Sequence, residues 1–246
     1  MHPLRQTLVW TYFLTASLAG LIFTLFRPFH RNNSHYCARL IAWGGRRLLG
    51  LDVRHINEHY LDTTTPSVII ANHQHNYDVF VVGGIVPKRT VSVGKKILKW
   101  VPLFGQMYWL AGNVLIDRKR KRAAVATMNA TEEAIRRDRK TIWVFPEGTR
   151  NKGNNLLPFK KGAFHLAVAT GAPIIPVCVT GYLEALKARG ADARKALIEV
   201  LAPIPTVGMT AEDVPRLMEL CRQRMHETIE RLEAMLHGDE GLRLAA

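Results

Sequence analysis

Cysteine is scarce in this chain. Only Cys37, Cys178 and Cys221 occur among 246 residues, widely spaced, odd in number and without a C-x-x-C pair. That pattern supports neither a disulfide framework nor a structural zinc site, and it fits a reducing compartment. Acidic residues are also few, with 20 Asp and Glu against 34 Lys and Arg, a formal net charge of +14. Such an excess points to anionic company (nucleic acid, an anionic membrane surface or phosphorylated substrates) unless it only keeps a soluble protein dispersed. No G-x-S-x-G is present and no cysteine lies in a motif, so a serine or cysteine nucleophile has little support. Aromatic residues concentrate in apolar runs instead of alternating with basic ones, which argues against a nucleic-acid partner. Internal repeats and low-complexity tracts are lacking as well.

Charge is wholly missing from residues 6–26, QTLVWTYFLTASLAGLIFTLF. An apolar run of ~20 residues is long enough to cross a bilayer as a helix. Two other readings stand beside this one: a buried core helix, or a signal peptide cleaved near Ala16–Ala19. More positive charge follows the run than precedes it (Arg27 and Arg31 come at once), so a membrane segment would leave the body of the protein in the cytoplasm. Residues 35–50, HYCARLIAWGGRRLLG, mix apolar side chains with Arg39, Arg46 and Arg47, which can snorkel toward headgroups. The two segments are expected to form a membrane-associated helical region over 1–50, either as a span or as a hairpin dipped into one leaflet.

What the chain does have is enough apolar material for a core, 48% of its residues. Short β-rich runs at 51–56, 67–71, 90–93, 113–116, 141–145, 173–179 and 197–201 alternate with helical patterns at 76–86, 95–110, 119–138, 160–170 and 212–237. Continuous apolar strands between helices predict an α/β fold: a mixed sheet covered by helices on both faces, over 51–238. A frayed tail is expected at 239–246. Four stretches stand at strand ends: NHQHNYD at 72–78, GNVLIDR at 112–118, FPEGTR at 145–150 and PIIPV at 173–177. Ligands of open α/β sheets bind outside the carboxyl ends of strands, so the first three are expected to converge on one cleft.

NHQHNYD admits three explanations. Its Asn, His and Asp can cap a helix that begins nearby. His73, His75 and Asp78 can contribute to a metal site, although no second histidine cluster supplies further ligands. Or His73 acts as a general base while Asp78 fixes its tautomer and stabilises the imidazolium. A substrate hydroxyl then attacks directly and no protein nucleophile is needed.

The motif N-H-x-x-x-x-D, followed in order by GNVLIDR, FPEGTR and PIIPV, resembles the four blocks of the glycerolipid acyltransferases. The stretch 94–118, GKKILKWVPLFGQMYWLAGNVLIDR, looks like the bacterial 1-acyl-sn-glycerol-3-phosphate acyltransferases in particular. His75 departs from the family, where serine is common. The resemblance implies acyl transfer from acyl-CoA or acyl carrier protein to the 2-hydroxyl of lysophosphatidate, giving phosphatidate, on the cytoplasmic side of the inner membrane. By that likeness His73 is the base and Asp78 its partner. No metal or tightly held cofactor is implied; the thioester is a co-substrate. Arginine forks suit phosphate, which makes Arg118 and Arg150 candidates to bind the acceptor. Lys95 follows a strand and can meet the same anion, as can Lys96, and Lys160 and Lys161 at a helix start. Glu147 can hold glycerol or Arg150, Gly148 allows a tight turn, and Thr149 can donate a hydrogen bond. The basic run 118–122 would draw the chain to anionic lipid. PIIPV reads best as a buried strand edge stiffened by prolines, with an acyl channel as the alternative. Rival readings are the same chemistry on glycerol-3-phosphate or another lysolipid, and a non-catalytic membrane scaffold that would not need His73 and Asp78 together.

Overall fold

The computed structural model describes residues 3–62, 64–117, 131–151, 156–187 and 194–238. The uncharged N-terminal run forms α1 (Pro3–Leu25), and the mixed segment after it forms α2 (Asn33–Leu49). They lie antiparallel: Arg5 Nε donates to the Leu48 carbonyl at 2.6 Å, and the Tyr12 hydroxyl donates to the Leu40 carbonyl at 2.6 Å. Gly44 permits this approach, since a Cβ there would come 2.2 Å from the Tyr12 ring. Gly50, at φ 57°, ends α2 in the left-handed region that favours glycine.

All seven expected strands form: β1 (Asp52–Ile56), β2 (Val68–Ala71), β3 (Thr90–Lys95), β4 (Val114–Ile116), β5 (Thr141–Val144), β6 (Ile174–Val179) and β7 (Lys195–Val200). They make one sheet in the order β1-β7-β6-β2-β5-β3-β4. The last five in that order run parallel, and β7 meets β6 antiparallel, so the sheet is mixed. The carboxyl ends of β2, β3, β4, β5 and β6 therefore share one edge. PIIPV corrects one expectation. Its residues 174–177 lie in β6, inside the sheet between β7 and β2 and not at an edge. Pro176 is tolerated there because the ladder with β7 begins only at Val177.

The remaining helices are α3 (Asp78–Val81), α4 (Phe104–Leu110), α5 (Gly162–Thr170), α6 (Leu183–Lys187) and α7 (Val214–His237); residues 131–136 are also helical. One face of the sheet buries Val9, Phe13, Cys37, Ile41, Phe80 and Met107 against Ile69, Trp143, Ile175 and Val177. The other buries Phe164, Leu217, Met225 and Leu232 against Val68, Ile70, Ile142 and Ile174. Residues 1–50 thus supply core as well as surface. Two helices come out shorter than the periodicity predicts. Residues 76–86 give a four-residue α3 and a 3₁₀ turn at Gly83–Ile85, because Gly83 approaches the Ala38 carbonyl so closely that a Cβ would sit 2.8 Å from it. Residues 95–110 give the end of β3, a 3₁₀ turn at Lys96–Trp100 and α4; Pro102 holds Val101 extended and separates the two. The start of the expected helix 119–138 and the tail 239–246 lie outside the described residues.

Candidate active site

β2 stops at Ala71, and the next residues are held by β6 from 105–107 positions away. Asn72 Nδ2 donates to the Val179 carbonyl at 2.8 Å while its Oδ1 accepts the Val179 N–H at 2.9 Å. Gln74 Nε2 reaches the carbonyls of Val179 and Thr180 at 3.1 and 2.9 Å. Two side-chain amides thus replace strand pairing just where β2 must turn. His73 lies between them and is aimed off the sheet edge.

His73 Nδ1 is 2.5 Å from Asp78 Oδ2. That same oxygen accepts the N–H groups of Gln74 and His75 at 2.8 and 3.2 Å. Asp78 is 4% exposed, so these three donors, together with the Tyr182 hydroxyl on Oδ1, are what keep its carboxylate tolerable. An acceptor at Nδ1 puts the proton on that nitrogen and leaves the Nε2 lone pair free to take one. The imidazole stacks on Phe145, ring centroids 4.2 Å apart and planes at 19°, which fixes its rotation. The helix-cap explanation is not what the loop does: Tyr77 precedes α3 without a side-chain cap, and the Asp78 carboxylate turns back to the loop. Among the described residues no group of three His, Cys, Asp or Glu side chains is placed to hold a metal ion.

FPEGTR follows β5. Gly148, at φ 73°, closes a tight turn in which its N–H donates to the Phe145 carbonyl at 3.0 Å. Glu147 is 2% exposed. Its Oε1 accepts the His73 N–H at 2.9 Å and its Oε2 the Leu157 N–H at 3.0 Å. Burial pushes its carboxyl above the ordinary value, against the pull of these hydrogen bonds. Glu147 therefore stands behind the dyad and does not reach Arg150 or a ligand by these bonds. Asn151 N–H completes the link by donating to the His73 carbonyl at 2.6 Å. Thr149 is exposed.

On the α1–α2 face lies a cavity of about 420 Å³. His73, Asp78, Gly148, Arg150 and Lys95 line it together with apolar side chains of α1, α2 and α4, Phe13, Ile41 and Phe104 among them. Arg150 is exposed and donates to Asn76 Oδ1. Lys96 points to Asp117, 3.4 Å away. Lys160 and Lys161 are exposed beside α5, which packs on the opposite face. Arg118 and the basic run it opens lie outside the described residues. Of the three stretches expected to converge, NHQHNYD and FPEGTR meet at this cavity, GNVLIDR contributes Asn113 to its lining, and Lys95 joins them. Sequence reasoning missed Tyr182, whose buried hydroxyl donates to Asp78 Oδ1. It sits beyond the fourth motif, 104 residues from its partner, and carries no local signal.

The Acyltransferase family model matches residues 52–180. The chain is 38% identical over 232 residues to a 1-acyl-sn-glycerol-3-phosphate acyltransferase of Haemophilus influenzae, covering 94% of this chain and 95% of that protein. It is 38% identical over 234 residues to the protein of the same name in Escherichia coli, covering 95% of each. A crystal structure of a 1-acyl-sn-glycerophosphate acyltransferase from Thermotoga maritima has the same fold, with a TM-score of 0.69 at 22% identity over 95% of this chain and 98% of that one.

Proposed function

The chain belongs to the Acyltransferase family, and on that premise we propose that it acylates the 2-hydroxyl of lysophosphatidate to give phosphatidate. The names of its relatives support this acceptor. The observation that carries the mechanism is the His73–Asp78 pair on the wall of an apolar cavity that Lys95 and Arg150 also line.

His73 Nε2 takes the proton of the acceptor hydroxyl as its oxygen attacks the thioester carbonyl of acyl-CoA or acyl carrier protein. The tetrahedral intermediate collapses, the C–S bond breaks, and His73 returns the proton to the leaving sulfur. Asp78 holds the imidazole by Nδ1 and offsets its charge while it is protonated. No acyl-enzyme forms and no cofactor or metal takes part. Arg150 and Lys95 meet the acceptor phosphate, and Arg118, next after the GNVLID stretch, is proposed for the same anion. The acyl chain occupies the apolar part of the cavity.

Residues 1–50 are the membrane anchor in this reading, and the catalytic body lies on the cytoplasmic side of the inner membrane. α1 is long and apolar enough to cross a bilayer by length and composition. A hairpin set into one leaflet suits its packing better, because Val9, Phe13 and Ala16 face the sheet while Leu4, Leu8, Leu18 and Ile22 face outward. Trp43 and Trp100 are 62% and 70% exposed, each beside a cation, Arg47 at 4.2 Å and Lys99 at 4.5 Å from the ring centre. Such pairs suit the headgroup boundary. Leu98 lines the cavity while Ile97 and Trp100 point out from the same turn, so lipid and cavity share a border.

The test is acyl transfer by the full chain reconstituted in lipid, with lysophosphatidate and either thioester donor. Phosphatidate should form, and His73→Ala should lower the rate ~10²-fold or more. Equal rates in the folded variant would remove His73 as the base. Failure of the parent with lysophosphatidate, but turnover with glycerol-3-phosphate or another lysolipid, would move the same chemistry to that acceptor.

A further inference from the structure

We propose that Tyr182 is a positioning residue of the dyad: its phenol holds Asp78 Oδ1, so that Oδ2 stays turned to His73 and leaves the proton on the imidazole. The inference rests on the reading of His73 as the base. Tyr182 sits between β6 and α6 and is fully buried. Its hydroxyl donates to Asp78 Oδ1, since an ionised carboxylate can only accept. The two oxygens of Asp78 therefore divide their partners. Oδ2 takes His73 Nδ1 and the N–H groups of Gln74 and His75, while Oδ1 takes Tyr182.

The phenol cannot drift. The Leu186 N–H donates to the Tyr182 carbonyl at 3.0 Å. Just upstream, Val179 and Thr180 are tied to Asn72 and Gln74 on the other side of His73. Burial, and then the charge of Asp78, pushes the phenol well above its ordinary value, so it stays protonated and donates throughout the working range.

The chemical consequence concerns where the proton rests. After His73 takes the hydroxyl proton at Nε2, Asp78 can draw the other proton off Nδ1, which would leave the Nε2 proton on a neutral and weakly acidic ring. A donor on Oδ1 stabilises the ionised carboxylate and weakens that pull. The ring then stays an imidazolium with both protons, and its Nε2 proton is available to the leaving sulfur. Other groups that face the pair are Tyr77 and His75 on the same loop, Glu147 behind His73, Glu233 of α7 accepting the Gly181 N–H, and Arg150 and Lys95 in the cavity wall. All of them are retained when only the Tyr182 hydroxyl is removed.

The experiment is a pH profile of kcat/KM for the full chain in lipid, comparing the parent, Tyr182→Phe, a ring-fluorinated tyrosine at 182 and His73→Ala. Tyr182→Phe should lower kcat by about tenfold with KM for lysophosphatidate unchanged. Its acid limb should move to higher pH, because the pair now holds its proton more tightly. The fluorinated residue keeps the shape and donates more strongly, so its limb should move to lower pH. An unmoved limb in both variants overturns the proposal, even if kcat falls, since packing alone would do that. If His73→Ala is as active as the parent, the base reading fails and Tyr182's role goes with it. If His73→Ala is inactive and Tyr182→Phe behaves as the parent, only the role of Tyr182 fails. Should Tyr182→Phe not fold, the direction of the limb in the fluorinated chain decides.

Discussion

The backbone N–H of His73 donates to Oε1 of Glu147 at 2.9 Å, so the third motif fixes the position of the first. Both Glu147 oxygens face N–H donors, His73 on one side and Leu157 on the other. Glutamine would aim its NH₂ at one of them. Glu147→Gln is therefore expected to lower kcat by about tenfold and to destabilise the fold by about 1–3 kcal/mol. KM for lysophosphatidate should change little, because Glu147 is buried. Steady-state kinetics and a denaturant titration measure both; a raised KM with unchanged kcat would return Glu147 to substrate binding.

Arg150 should behave in the opposite way. It is exposed, lines the cavity and is steadied through Asn76. Arg150→Ala is expected to raise KM for lysophosphatidate about tenfold, with a smaller effect on kcat. Arg150→Lys should recover part of the loss, since it restores charge but not the fork. Unchanged kcat/KM in the alanine variant would take Arg150 out of the phosphate site.

Arg46 joins α2 to α3, with His55 of β1 against it. Arg46 Nε donates to the Phe80 carbonyl at 3.0 Å, its second terminal nitrogen to the Val81 carbonyl, and its first approaches His55 Nε2 at 3.2 Å. His55 Nδ1 is 2.7 Å from Glu58, which places the proton there and leaves Nε2 to accept. Burial, then the nearby Arg46, pushes His55 below its ordinary value, with Glu58 working against them. The folded chain thus holds this proton less tightly than the unfolded chain. The stability contributed is present above the ordinary histidine value and is lost as pH falls through the lowered one. His55→Gln should flatten that part of a stability–pH curve; an identical acid decline in the variant would clear His55 of the effect.

The sheet was legible because apolar β-rich runs of four to seven residues were bounded by polar motifs, and all seven strands formed. The dyad was legible for the same reason, being local: His73 and Asp78 share one loop. Helices 76–86 and 95–110 were overread because periodicity does not register a close contact such as Gly83 on Ala38, or a single proline such as Pro102. Glu147 was legible as a site candidate, but its contact with the His73 N–H from across 74 positions was not. Tyr182, Asn72 and Gln74 act through contacts spanning more than 100 positions, and composition and spacing carry no trace of these.

The outward apolar surface yields the remaining prediction. Trp43 projects from α2 and Trp100 from the turn before α4, and both stand clear of the core. If they rest at the headgroup boundary, Trp43→Glu combined with Trp100→Glu adds charge repulsion and removes two aromatic anchors without touching the dyad. The double variant should sediment less with anionic vesicles and lose at least about tenfold in rate on vesicle-presented lysophosphatidate. On detergent-dispersed substrate it should stay within about twofold of the parent, since the cavity wall is unaltered. Loss in both formats would mean that the fold had been damaged, which a melting curve would register. Full vesicle binding and full activity would mean that α1 anchors the chain alone, and the one-leaflet hairpin would give way to a spanning helix.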